Sequence, residues 1–139
     1  MSRSVLPPIV GDPCASPLDG AQHIGDFAWY DGPLSSLFRD ASGLLYVHWF
    51  DNDERVNRWG VVRISREHLD ALGAGTITLR DVLTQPDAEA WVLDLGTADG
   101  RVAPIACART ATLPVDYLPD ADSHLPRDDW FHLDALEAA

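Results

Sequence analysis

The sequence predicts an α+β fold: an antiparallel β-sheet of about four to six strands, a meander plus a hairpin, with two short inserted helices and a C-terminal helix. Three observations lead there. Short apolar or alternating runs recur between clusters of Gly, Pro, Asp and Asn, the pattern of strands joined by turns. Two segments between these runs carry helix start and stop signals. Hydrophobic residues make up 46% of 139 residues, enough to bury one core without disulfides or metals.

Residues 1–22 hold four prolines and little periodicity, and read as a Pro-rich N-terminal arm, extended along the domain or disordered. The α+β core domain follows as residues 23–110. Phe27–Tyr30 reads as a short strand, Asp31-Gly32-Pro33 as a turn, and Leu34–Arg39 as the second strand of a hairpin, ended by Asp40-Ala41-Ser42-Gly43. In Leu44–Phe50 alternation sends Leu44, Tyr46, His48 and Phe50 to one face and Leu45, Val47 and Trp49 to the other. Both faces are largely apolar, which makes this strand central. Asp51–Asn57 then forms a loop leading to the antiparallel partner Arg58–Ile64.

Ser65 is placed to N-cap a helix over Arg66–Leu72, with Glu67 in the first turn and Gly73 just past the end. A second helix starts at Thr78, whose spacing to Asp81 imitates a capping box, and stops at Pro86. Trp91–Leu95 and Val102–Ala108 form a hairpin across Asp99-Gly100, and Pro104 makes its second strand an edge or irregular one. Residues 111–139 are an acidic C-terminal segment of the same domain, broken by prolines until Asp128–Ala138, where Trp130, Leu133 and Leu136 recur at helical spacing. Trp49, Trp59 and Trp91 are expected in the core.

The chain carries 22 acidic residues against 10 basic ones, a net charge of -12, so phosphate backbones and anionic lipids repel it. Neither nucleic acid nor membrane is expected as a partner. Half of the net charge lies in residues 110–139, which hold seven acids and Arg127 alone. All ten basic residues are arginine, which excludes a P-loop lysine, a pyridoxal Schiff base and a lysine nucleophile. A GC-rich, actinobacterium-like genome accounts for that bias, and a salt-loving source would account for the acidity. The run at residues 5–10 is interrupted by Pro7 and Pro8, too short for a signal peptide, and no stretch approaches 18 apolar residues; a cytoplasmic location is expected. Cys14 and Cys107, 93 residues apart, fit no CxxC motif and read as one surface thiol and one buried, inert thiol.

Tyr30-Asp31-Gly32-Pro33-Leu34, the aromatic strand Tyr46–Phe50, the acidic loop before Arg58-Trp59, the segment Val62–Ser65, and Ile77–Asp81 before Pro86 resemble an uncharacterised bacterial domain family of unknown function. The resemblance spans residues 28–95. It implies a single α+β domain and carries over no active site.

The densest polar cluster is His48 with Asp51, Asp53 and Glu54. Asp51, Asp53 and Glu54 offer oxygen ligands for a divalent cation, and His48, Asp51 and Asp53 the parts of a small metal-dependent hydrolase. An EF-hand loop, however, needs an oxygen ligand fifth and Gly sixth, where this chain has Arg55 and Val56; a solvated loop is the competing reading. The five histidines and two cysteines show no zinc-binding spacing, Gly-x-Ser-x-Gly and Gly-x-Gly-x-x-Gly are absent, and no cofactor is expected. Arg58, Arg63, Arg66 and Arg80 are interspersed with acids and read as ion-pair partners. Asp128, Asp129, Trp130, Phe131 and Asp134 combine acids with large apolar rings, the composition of a partner-binding segment; the alternative is that Trp130 docks on its own sheet. The leading functional expectation is a non-enzymatic acidic binding domain of antitoxin, immunity or accessory-subunit type, engaging a basic protein. A homodimer through the edge strand Val102–Ala108 is the further alternative.

Overall fold

The computed structural model describes residues 9, 11–29, 33–52, 56–85, 88–98 and 101–130, with the backbone alone at 28–29, 33–34, 51–52, 97–98 and 101–103. Seven strands form one antiparallel sheet: β1 (Asp12–Pro13), β2 (Gln22–Trp29), β3 (Pro33–Asp40), β4 (Gly43–Asn52), β5 (Val56–Ile64), β6 (Ala90–Ala98) and β7 (Arg101–Thr110). Their order is β1-β7-β6-β5-β4-β3-β2. β2 to β7 is thus a continuous meander, with two helices, α1 (Arg66–Ala74) and α2 (Leu79–Leu83), inserted between β5 and β6.

The α+β class stands, and the strand count is corrected to seven among the described residues. The added strand, β1, lies in the arm, where Asp12 and Pro13 pair with Arg109 and Ala108 of β7; two residues carry no periodicity to read. The Asp51–Asn57 loop is also shorter than expected, since β4 runs to Asn52 and β5 begins at Val56, and cross-strand pairs continue to Asn52–Asn57 past an irregularity between Trp49 and Asp51.

Local signals are obeyed at the helix starts. Ser65 accepts from the His68 N–H at 3.0 Å, and Thr78 with Asp81 makes a reciprocal capping box, each satisfying an orphan amide of the first turn. The stop of α1 is corrected from Gly73 to Gly75, which adopts the left-handed φ of 79° that a residue without Cβ takes at little cost. Gly73 is helical, and packing uses its missing side chain: a Cβ there would lie 3.1 Å from the Trp130 ring.

The expected C-terminal helix does not begin where its periodicity placed it. Arg127–Asp129 is a single 3₁₀ turn after Pro126, and Trp130 is extended, with φ -77° and ψ 145°; residues 131–139 lie outside the described residues. Residues 111–130 instead cross the sheet as an irregular ribbon. Leu113, Leu118, Leu125 and Trp130 face the core, and each of the three leucines precedes a proline, which disfavours helix at that leucine and supplies no ladder donor of its own.

Both faces of the sheet are apolar. The first face carries Phe27, Leu37, Tyr46, Val62, Ile64 and Val92 beneath Leu69, Leu72, Val82 and Leu83 of the helices and the C-terminal ribbon. The second carries Leu45, Val47, Val61, Trp91 and Leu93, with Leu18 and Ala21 of the arm packed against them. Trp91 is buried, while Trp59 is partly buried against this second cluster. Eight residues, 14–21, join β1 at one edge of the sheet to β2 at the other. The nine Cα–Cα steps from Pro13 to Gln22 reach about 31 Å fully extended, little more than the ~29 Å between the outer strands of a flat seven-stranded sheet. Residues 17–20 form turns, so the segment falls short of that reach. The sheet is therefore curled, and this strap spans its second face.

Candidate functional site

The buried polar groups of the first face gather at the β3–β4–β5–β6 centre. Cross-strand register sets His48 opposite Ser35 and Gly60, and Arg58 opposite Asp94. Ser35 Oγ and His48 Nδ1 are 3.1 Å apart. Arg58 makes a two-pronged pair with Asp94, Nε to Oδ1 at 2.8 Å and Nη2 to Oδ2 at 2.9 Å, the fork geometry that suits guanidinium to carboxylate. Asp94 and, more weakly, Tyr117 hold the Arg58 pKa above its ordinary value against burial.

A continuous row of rings crosses the same face. Trp130 meets Phe27 edge-on at 4.9 Å, Phe27 meets Tyr46 at 5.1 Å, Tyr46 stacks on His48 at 6.3 Å, His48 meets Phe50 at 6.0 Å, and Phe50 stacks on Tyr117 at 5.3 Å. Both terminal rings come from the C-terminal ribbon. A Cβ on Gly60 would collide with the Phe50 ring, so glycine there lets the ring lie on β5. Burial lowers His48 to about 4, so the imidazole is neutral at physiological pH. It also raises the Tyr46 phenol, a rise that the neighbouring Ser35 hydroxyl opposes. Chemically the cluster is a neutral His–Ser pair beside a neutralised Arg–Asp pair; Ser35 is only 2% exposed, which denies a substrate access to its hydroxyl.

The expected His48–Asp51–Asp53–Glu54 cluster is only partly within view. The His48 imidazole meets Ser35, Tyr46 and Phe50, Asp51 is a β4 residue opposite Arg58, and Asp53 and Glu54 lie outside the described residues. Among the described residues no three His, Cys, Asp or Glu side chains come together in a way that could hold a metal ion. The arginines pair locally: Arg63 chelates Asp40 at 3.0 Å on both prongs and reaches Glu89 at 3.3 Å, and Arg66 reaches Asp70 at 3.3 Å. The guanidinium of Arg63 lowers Asp40 to about 2. Arg80 departs from the expected pattern, its Nε being buried with no hydrogen-bond partner among the described residues.

Of the expected partner-binding residues, Asp128 and Asp129 are exposed and Trp130 is half-buried, while Phe131 and Asp134 lie outside the described residues. Trp130 is used within the molecule: its ring sits on Phe27 and beside Gly73, Arg127 lies 5.0 Å over it, and its Nε1 donates to the Leu125 carbonyl at 2.8 Å. The ribbon is thereby pinned next to α1 and α2, and the Leu79 N–H donates to the Ser123 carbonyl at 2.9 Å. The three Leu-Pro steps at 113, 118 and 125 were the sequence signal for this docking.

The outer surface of that layer is acidic. Glu67 and Asp70 of α1, Asp81 of α2, and Asp116, Asp120, Asp122, Asp128 and Asp129 of the ribbon are all exposed. Arg66, Arg80 and Arg127 are the layer's basic residues, and Arg66 and Arg127 both engage Asp70. Among the described residues two open grooves flank the sheet. One, of about 480 Å³, is lined by Arg63, Ser65, His68, Gln85 and Glu89 among others; the other, of about 490 Å³, lies between Ser16, Leu18 and Asp19 of the strap and Leu93, Leu95 and Pro104. No helix among the described residues is long and apolar enough to cross a membrane.

Comparison with known proteins finds no family model that matches the chain, and no curated protein or solved structure that matches it either.

Proposed function

We propose that this chain is a non-enzymatic acidic binding domain of antitoxin, immunity or accessory-subunit type, and that the layer of α1, α2 and the C-terminal ribbon engages a basic protein surface. The observation that carries the reading is the eight exposed carboxylates on one layer with three arginines among them. A surface of one sign speeds encounter with its opposite and repels wrong partners. Trp130 serves this surface by anchoring the ribbon rather than by entering the partner.

The test is a pull-down from the native host followed by association kinetics of the recovered protein at graded salt. The expected result is a basic partner whose association slows steeply with salt, and slows about ten-fold when Asp120, Asp122, Asp128 and Asp129 are all replaced by Asn. A salt-insensitive rate, unchanged by the four substitutions, overturns the reading.

A second reading, a homodimer through β7, is favoured by one feature. Between Asp94 and Leu95 the β6–β7 register slips, so that Ile105 is the extra residue, next to Pro104 and 61% exposed. Among the described residues β1 pairs with β7 at Ala108 and Arg109, and the Cys14 N–H beyond it donates to the Cys107 carbonyl. Light scattering that reports a monomer at high concentration removes this reading.

A further inference from the structure

Cys14 and Cys107 are 93 residues apart in the chain and adjacent in the fold. The β1–β7 register, with Asp12 opposite Arg109 and Pro13 opposite Ala108, carries Cys14 to a position opposite Cys107. The Cys14 N–H donates to the Cys107 carbonyl at 3.1 Å, and the two Sγ atoms lie 3.6 Å apart. Cys14 is exposed and Cys107 half-buried. Opposed residues in a hydrogen-bonded antiparallel pair have Cα atoms about 5.5 Å apart, within the ~4.4–6.8 Å that a disulfide spans. Side-chain rotation is enough to close the bond.

We propose that Cys14 and Cys107 form a reversible redox latch, oxidised by small-molecule disulfides, that fastens the strap 14–21 to β7. The exposed Cys14 attacks first, as thiolate, at one sulfur of the small disulfide; that S–S bond breaks and one small thiolate leaves. Cys107, having lost its proton to solvent, then attacks Cys14 Sγ, and the second small thiolate leaves as the protein disulfide forms. The two cysteines lose two electrons and the small disulfide gains them. Burial first, then the hydrogen bond and charge of Cys14, push the Cys107 thiol up to about 12, which assigns the opening attack to Cys14. Once Cys14 is held as the mixed disulfide, its contributions to that shift vanish, and Cys107 ionises more readily.

The latch acts on a weakly held element. β1 contributes two paired residues, of which Pro13 has no N–H to donate, and the strap beyond it supplies Ser16, Leu18 and Asp19 to the wall of the second-face groove. Oxidation fixes that wall; reduction leaves it held by Leu18, Ala21 and the short β1 pairing.

The full-length chain is equilibrated in oxidised and reduced glutathione at graded ratios, quenched with acid, alkylated and peptide-mapped, with hydrogen exchange followed in parallel. The expected result is a monomer in which both thiols disappear together into a Cys14–Cys107 cross-linked peptide, with exchange in residues 14–21 slowed on the order of ten-fold. A Cys14→Ser variant should show neither change. Glutathione persisting on Cys14, a disulfide between two copies, or both thiols remaining free overturns the pairing. A cross-link with unchanged exchange overturns the latch.

Discussion

His48 shows how burial decides the chemistry of a single residue. Beside Asp51, Asp53 and Glu54 in the sequence it has the composition of a general base, yet the strand directs its ring into the aromatic row and to Ser35. Burial lowers it to about 4 from an ordinary 6.5, so between those values the unfolded chain takes up a proton that the folded one refuses. That stabilisation is complete above about pH 6.5 and is lost as pH falls toward 4, amounting to about 3 kcal/mol at the low end. Urea unfolding at a series of pH values should show the loss in the native chain, and His48→Gln should remove that part of the pH dependence. An equal acid slope in both proteins would place the titrating group elsewhere.

Among the elements, strands and helix starts were legible because their causes are local. Alternation fixed the faces of β4, and Ser65 and Thr78 fixed the starts of α1 and α2. Helix ends and the C-terminal ribbon were less legible, because their causes are contacts between elements. Gly73 looked like a helix stop, but the Trp130 ring accounts for it. Trp130 itself looked like part of a helix because of its spacing to Leu133 and Leu136, which lie outside the described residues; at Trp130 the chain is extended after a 3₁₀ turn. This coupling is measurable by a double-mutant cycle. Gly73→Ala should gain no stability in the native chain, where the new methyl crowds the ring, and should gain about 0.5–1 kcal/mol in a Trp130→Ala background, where only helix propensity remains. Thermal unfolding of the four proteins checks it; equal effects of Gly73→Ala in both backgrounds would deny the contact.

For the whole molecule the net charge of -12 is a repulsion that folding must contain. The buried pair of Arg58 with Asp94 and the part-buried pair of Arg63 with Asp40 offset part of it, and the acidic layer concentrates much of the remainder on one side. Salt should therefore stabilise the fold: from about 0.01 M to 0.15 M ionic strength the screening length falls from ~30 Å to ~8 Å, and Tm should rise by a few degrees. A falling Tm would mean that the ion pairs outweigh the repulsion. The strap is the other feature of this scale. Pro17 and the three prolines before it made it read as part of an arm, and its work across the second face follows from a strand order that places β1 and β2 at opposite edges.

The sequence by itself determined the α+β class, the meander, both helix N-termini, the alternation of faces in β4 and the absence of lysine chemistry, since each depends on residues within one turn or one strand of each other. Only the tertiary structure decided the seventh strand, the meeting of Cys14 with Cys107, the pairing of His48 with Ser35, and the gathering of scattered carboxylates into one layer. The physical reason is distance along the chain: contacts between residues 93 or 13 positions apart follow from strand order and register, to which local propensity is blind.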